Sequence, residues 1–136
     1  MLKSKIKVFI CWVLALFFLA AGVLLHFMAA DEVAKIVPPF LPFPKLIVVV
    51  TGVMEILFAI GLIRPKWRRL TGIVLSLYLL AVLPANIHMA LEGMPLGGQD
   101  LTAFQLWFRV ALQFPLIALT LWASGFWEKP KTFDLA

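Results

Sequence analysis

The chain has few charged residues and a single cysteine. Only 14% of its 136 residues are charged, whereas a soluble domain has about 25%. That proportion excludes an ordinary soluble protein, because the polar residues could not cover an apolar core. Cys11 alone cannot form an intramolecular disulfide, a CxxC redox pair or a cysteine-based metal site. Since Cys11 lies within an apolar run, we interpret it as a small packing or lipid-facing residue.

Apolar residues make up 63% of the chain, and its mean hydropathy is +1.03. They are concentrated in four runs, at about residues 6–30, 46–63, 70–91 and 104–127. Each run is close to the ~20 residues that a helix needs to cross a bilayer, and a backbone in lipid must satisfy its own hydrogen bonds. The sequence therefore predicts an all-α, four-helix transmembrane bundle that forms one domain over residues 1–136. The first run is too long for the core of a signal peptide, so we expect it to be retained.

Basic residues are distributed unevenly among the segments between the runs. They are concentrated in the N-terminus, the loop between the second and third runs, and the C-terminal tail: Lys3, Lys5, Lys7, Arg64, Lys66, Arg68, Arg69, Lys129 and Lys131. The positive-inside rule places these three segments in the cytoplasm. We therefore expect both termini to be cytoplasmic in a multi-pass protein of the bacterial inner membrane. The net charge of +5 then reflects topology and does not indicate nucleic-acid binding.

The two remaining loops differ in composition. Residues 31–44 contain four prolines and several apolar side chains, which predicts a non-helical segment that lies on the bilayer or folds back over the bundle as a lid. Residues 92–103 contain Gly93, Gly97 and Gly98, which predicts a flexible loop. Thr102 and Gln105 have the spacing of a capping box that begins the fourth helix.

Glu55 and Arg109 lie inside apolar runs, where a charge is costly and usually marks a functional site. Other polar residues lie in the same outer half of the predicted membrane region, so all four helices contribute to it. The candidate ligand-binding residues are Glu55, Arg109, Gln113, Asn86, His88 and His26. Pro84 and Pro115 each leave a helix carbonyl without its usual partner, and that carbonyl is available to a side chain, water or ligand.

Several interpretations of these residues remain open. Glu55 and Arg109 form a structural ion pair, build a ligand or proton site, or do not meet. His26 and His88 are hydrogen-bonded or interfacial histidines, ligands of a haem or transition metal, or parts of a proton relay. Two histidines without a third ligand are weak evidence for a metal site, so we predict none. The residues identify no catalytic group and no cofactor.

Five short motifs across residues 20–115 resemble those of the DoxX-like family of small four-helix bacterial membrane proteins. The motifs are Gly22-x-x-x-His26-Phe27, Ile36-Val37-Pro38-Pro39-x-Leu41-Pro42, Gly52-x-x-Glu55, Pro84-Ala85-Asn86-Ile87-His88-Met89 and Arg109-x-x-x-Gln113. The family takes its name from a subunit linked to thiosulfate:quinone oxidoreductase activity. The resemblance implies a redox-associated membrane protein without implying a catalytic activity of its own.

We therefore expect a periplasm-facing polar pocket within the membrane that binds a small ligand, such as a quinone head group, or a redox-associated partner. One alternative is a noncatalytic assembly subunit of a membrane complex, and another is a transporter of small solutes or protons. Expected partners are the lipid bilayer, a membrane or periplasmic protein, and a second copy of the chain, but not nucleic acid.

Overall fold

The computed structural model describes residues 1–129, so Lys131 of the predicted cytoplasmic tail lies outside the described residues. This part of the chain is helical and contains no strand, only an isolated bridge between Leu96 and Gln99. The elements are α1 (Leu2–Ala21), a π-helical segment (Gly22–Met28), α2 (Ala30–Ala34), α3 (Pro44–Ile63), α4 (Arg68–Glu92) and α5 (Ala103–Ala123). Within residues 1–129, four helical spans are long and apolar enough to cross a membrane. The prediction of an all-α fold with four such helices is confirmed.

The first and fourth spans differ from their predicted limits. The first span runs over Leu2–Met28 and thus begins before residue 6, because Lys3, Lys5 and Lys7 continue the helix. The fourth helix ends at Ala123, four residues before the predicted end. Gly125 has a φ of 80°, its N–H donates to the Trp122 carbonyl, and the N–H of Phe126 donates to the Leu121 carbonyl. This Schellman motif ends α5 even though the following residues are apolar.

The four spans pack as a ring in which each contacts two neighbours. α1 packs against α3 and α5, and α4 also packs against α3 and α5. We call the end of the bundle formed by residues 29–43 and 93–102 the loop end, and the opposite end, formed by Met1, residues 64–67 and residues 124–129, the tail end. Many large apolar side chains remain exposed on the spans, including Phe9, Leu16 and Leu77, as expected for faces that contact lipid.

The half of the bundle toward the tail end has a continuous apolar core. It consists of Leu14, Ala15, Phe18, Phe58, Ala59, Leu62, Leu75, Tyr78 and Leu79. Arg68 donates from its guanidinium to the carbonyls of Leu62 and Ile63 and so satisfies the end of α3. Lys7 pairs with Glu128, and the Cys11 thiol lies 3.4 Å from the Ala123 carbonyl oxygen. Cys11 is fully buried, so of its two interpretations it is a packing residue and not a lipid-facing one.

A second, smaller core lies at the loop end. Ile36 from the proline-rich segment packs there with Met89 and Ala90 of α4 and Leu106 of α5. This part of the segment therefore folds back over the bundle, which was one of its two predicted arrangements. The prediction that residues 31–44 are non-helical is wrong at the start, because residues 31–34 belong to α2, which ends before the first proline. Phe40 and Phe43, farther along the segment, are 78% and 74% exposed.

The other connection at the loop end also has defined local structure. Gly97 and Gly98, both with positive φ, form a tight turn in which Leu96 and Gln99 exchange backbone hydrogen bonds. The glycine-rich loop therefore contains a hydrogen-bonded turn, although the sequence predicted only a flexible loop. The predicted capping box is confirmed: the N–H of Gln105 donates to the Thr102 hydroxyl, and the N–H of Thr102 donates to the Gln105 side chain.

Candidate functional site

A cavity of about 550 Å³ lies between the two cores, in the half of the bundle toward the loop end. Most of its wall is apolar, and Val33, Ile36 and Val37 of the folded-back segment contribute to it. The polar side chains of the wall are His26, Thr51, Glu55, Tyr78, Asn86, Arg109 and Gln113. A largely apolar cavity of this size with a few convergent polar groups is the usual form of a small-molecule site.

The close approach of the π-helical segment to α3 positions His26 and Glu55 in the cavity wall. Gly22 begins the π-helical segment, and a Cβ atom added there would lie 2.9 Å from the Gly52 carbonyl oxygen of α3. A Cβ atom on Gly52 would in turn overlap the Cβ atom of His26. The two glycines therefore allow a separation that larger residues would prevent, and this separation brings His26 next to Glu55. Segments of π-helix are rare and frequently occur at functional sites.

Glu55 is 6% exposed and lies at the centre of a three-residue cluster with Tyr78 and His26. The Tyr78 hydroxyl donates to Glu55 Oε1 at 2.6 Å. His26 Nδ1 lies 3.2 Å from Glu55 Oε2 and also 3.2 Å from the Ala21 carbonyl oxygen. One ring N–H cannot point well at both oxygens, and within residues 1–129 Oε2 has no hydrogen-bond partner. Glu55 therefore points into the bundle.

Arg109 lines the same cavity but does not pair with Glu55. Its side chain forms no ion pair and no hydrogen bond with any group in the described part of the chain. It is also the one lysine or arginine, among residues 1–129, that contributes to the cavity wall. Of the three interpretations of Glu55 and Arg109, the direct ion pair is thus not formed, although both residues face one space.

Gln113 and Asn86 complete the polar wall from α5 and α4. Gln113 Nε2 donates to the Leu79 carbonyl at 2.8 Å. The next carbonyl along the helix, that of Leu80, is the one that lacks its usual partner because of Pro84. Gln113 Oε1 is buried and has no partner within residues 1–129. Two buried acceptors, on Glu55 and Gln113, and one guanidinium therefore remain unsatisfied around the cavity. Burying such groups costs free energy unless water or a ligand supplies the missing hydrogen bonds.

The structure thus brings five of the six predicted site residues to one cavity. His88 is the exception, because it does not contribute to the wall even though it lies close to Asn86 in sequence. Two residues along a helix project about 200° apart, so Asn86 and His88 face different directions. Within residues 1–129, no three His, Cys, Asp or Glu side chains are grouped so that they could hold a metal ion.

Tyr78 is the site residue that the sequence analysis missed. It is the only tyrosine in the chain, and it lies in the middle of a long apolar helix, where a phenol needs a hydrogen-bond partner. A single phenol hydroxyl within an apolar helix therefore indicates a buried polar partner, and this could have identified Tyr78 from the sequence. Its ring also packs on Phe58, with the ring centroids 5.3 Å apart, so Tyr78 joins the apolar core to the polar cluster.

The comparisons with known proteins identify a family but no activity. Residues 14–124 match the family described as a domain of unknown function, DUF8561. The match covers most of the chain and includes all four spans in whole or in large part, so the protein belongs to this family. No curated protein and no solved structure matches the chain.

Proposed function

We propose that this protein is a DoxX-like protein of the bacterial inner membrane whose cavity lies in the periplasm-facing half of the bundle and binds a small membrane-soluble ligand. A ligand with a polar head group, such as a quinone, is the proposed type, and a redox-associated partner would use or supply it. The protein is proposed to bind this ligand without carrying out a reaction of its own.

The observation that carries the proposal is the cavity with its incomplete polar groups. A purely structural bundle would fill the space between its helices and pair its buried charges. Within residues 1–129, the partly buried Arg109 is unpaired, and Glu55 and Gln113 each retain an acceptor oxygen without a hydrogen-bond donor. The cavity has an appropriate volume for a small ligand and is covered at the loop end by Val33 and Ile36. The proposed orientation rests on the excess of basic residues at the tail end.

Native mass spectrometry of protein gently released from its membrane tests this function. We expect the wild-type protein to carry a reproducible added mass. Ala85 lines the cavity, whereas Ala81, one turn earlier on α4, is exposed and does not. Ala85→Leu should therefore reduce the added mass, while Ala81→Leu should retain it. A wild-type protein without any bound small molecule would contradict the proposal.

A specific observation also favours the alternative role of an assembly subunit. Phe40 and Phe43 lie outside the four spans and are strongly exposed, so they offer an apolar surface to a membrane-protein partner. For this role, crosslinking from position 40 in native membranes should yield one defined protein adduct. Crosslinking to lipid alone would count against it.

A further inference from the structure

The cavity has an open side between the first span and α5. No Cα atom of the π-helical segment lies within 8 Å of a Cα atom of α5, although both elements contribute to the cavity wall. Phe17 and Leu24 on the first span and Leu112 on α5 line the cavity and are still about half exposed, at 55%, 55% and 47%. All three lie within helices that are long and apolar enough to cross a membrane. The opening therefore faces the apolar interior of the bilayer, and an apolar chain could pass through it.

Arg109 determines which head group this cavity favours. It lies six residues into α5, about 9 Å along the helix from its first residue, and it has no partner in the described chain. Glu55 does not pair with it: Glu55 Oε1 accepts from Tyr78, and Oε2 lies beside His26 instead. A guanidinium in a low-dielectric environment binds a carboxylate through two parallel hydrogen bonds, and such a pair is stronger than a bond to a neutral acceptor.

We propose that the ligand is a single-chain amphiphile with a carboxylate head group, of the fatty-acid class. The carboxylate binds Arg109, and the tail extends past Phe17, Leu24 and Leu112 toward the bilayer. A cavity of about 550 Å³ is in the range that holds one compact ligand. This inference rests on the proposed function, because it names the ligand of the same cavity.

The first test compares probes on the wild-type protein in nanodiscs of uncharged phosphatidylcholine. Palmitate and methyl palmitate have the same tail but differ in head-group charge, so their comparison requires no variant. We expect palmitate to bind at least tenfold more tightly than its ester, as measured by native mass spectrometry across a titration. A short-chain quinone and phosphatidylglycerol serve as the neutral and two-chain alternatives.

Variants then locate the binding. Arg109→Gln should weaken palmitate binding at least tenfold, and Arg109→Lys should weaken it less because the charge remains. Arg69→Gln is the control, because Arg69 lies in the first turn of α4, far from the cavity wall, and donates to the Phe126 carbonyl. Leu112→Trp should slow palmitate entry, whereas Leu119→Trp on the same helix, away from the cavity, should not. Circular dichroism establishes that each variant is folded.

The outcomes separate this inference from the proposed function. Equal binding of palmitate and its ester, preferential binding of the quinone, or binding of phosphatidylglycerol alone would overturn the inference and leave a ligand-binding cavity in place. Unchanged palmitate binding in Arg109→Gln would overturn it as well. Failure of every probe to bind, together with the absence of a copurified ligand, would contradict both.

Discussion

Side chains fill the space between the helices in the tail-end half of the bundle, whereas in the loop-end half the same helices enclose a cavity. The polar residues differ in the same way. Ser76 and Thr120 donate to carbonyls of their own helices, at Gly72 and Leu116. Toward the loop end, Tyr78 and Gln113 instead donate to groups on other helices. Arg109 has no partner within residues 1–129, although Thr51 still bonds to its own helix. We propose that ligand binding explains the cavity and the polar groups of the loop-end half, since the tail-end helices pack around a continuous apolar core instead.

The largest expected difference between the two halves concerns the removal of a leucine side chain. Leu62 is fully buried in the tail-end core, whereas Leu112 borders the cavity. Leu62→Ala should lower the free energy of unfolding by about 2 kcal/mol or more, because packing contacts are lost and a new void forms. Leu112→Ala should cost less than half of that, because its side chain already borders empty space and lipid.

Unfolding in mixed micelles at increasing denaturing-detergent fraction measures both leucine variants. Since lipid is as apolar as leucine, the difference reports packing and not transfer from water. Equal losses of stability would mean that the loop-end half is as tightly packed as the tail-end half.

A smaller difference is expected for single hydroxyl groups. Tyr78→Phe removes the donor to the buried Glu55 carboxyl group and should lower the free energy of unfolding by about 1–2 kcal/mol, because the acceptor loses its partner. Ser76→Ala is the matched control, since Ser76 is also buried on α4 but bonds only to its own helix. It should change stability by less than about 0.5 kcal/mol. The same detergent titration measures the stability of both variants. Similar losses of stability in Tyr78→Phe and Ser76→Ala would contradict the expected difference between the two halves.

The smallest effect is expected outside the spans. Lys45 donates a hydrogen bond to Asp31, and this contact lowers the pKa of the Asp31 carboxyl below its ordinary value. A carboxyl whose pKa is lowered on folding stabilises the protein above its unfolded pKa of about 4, and the contribution is lost as the pH falls further. Because Asp31 is exposed, solvent screens the pair and the contribution should be slight at neutral pH.

Thermal unfolding of Asp31→Asn between neutral pH and pH 3 measures that contribution. The wild-type protein should lose slightly more stability than Asp31→Asn over the acidic part of this range. Lys45→Gln should reproduce the effect of Asp31→Asn, and the double variant should add nothing. A larger pH dependence in Asp31→Asn than in the wild type would contradict the assignment.

The sequence by itself determined the features that depend on local composition. Runs of apolar residues predicted four membrane-length helices because hydropathy is a property of each residue and does not depend on its neighbours in space. Thr102 and Gln105 likewise defined the start of α5 through contacts only three residues apart. The polar residues of the loop-end half could also be recognised, since a charge in an apolar run needs an inward position.

Only the tertiary structure decided which groups meet. Glu55 interacts with Tyr78 and His26, while Arg109 has no partner in the part of the chain that the structure describes, and opposite charge alone had suggested a different pairing. The partner depends on how far each helix is rotated and how closely it approaches its neighbour. That approach is set by the contact of Gly22 with Gly52 and by the π-helical segment. The cavity also results from how the helices are rotated and spaced. No single residue encodes it, so it could not be predicted from the sequence.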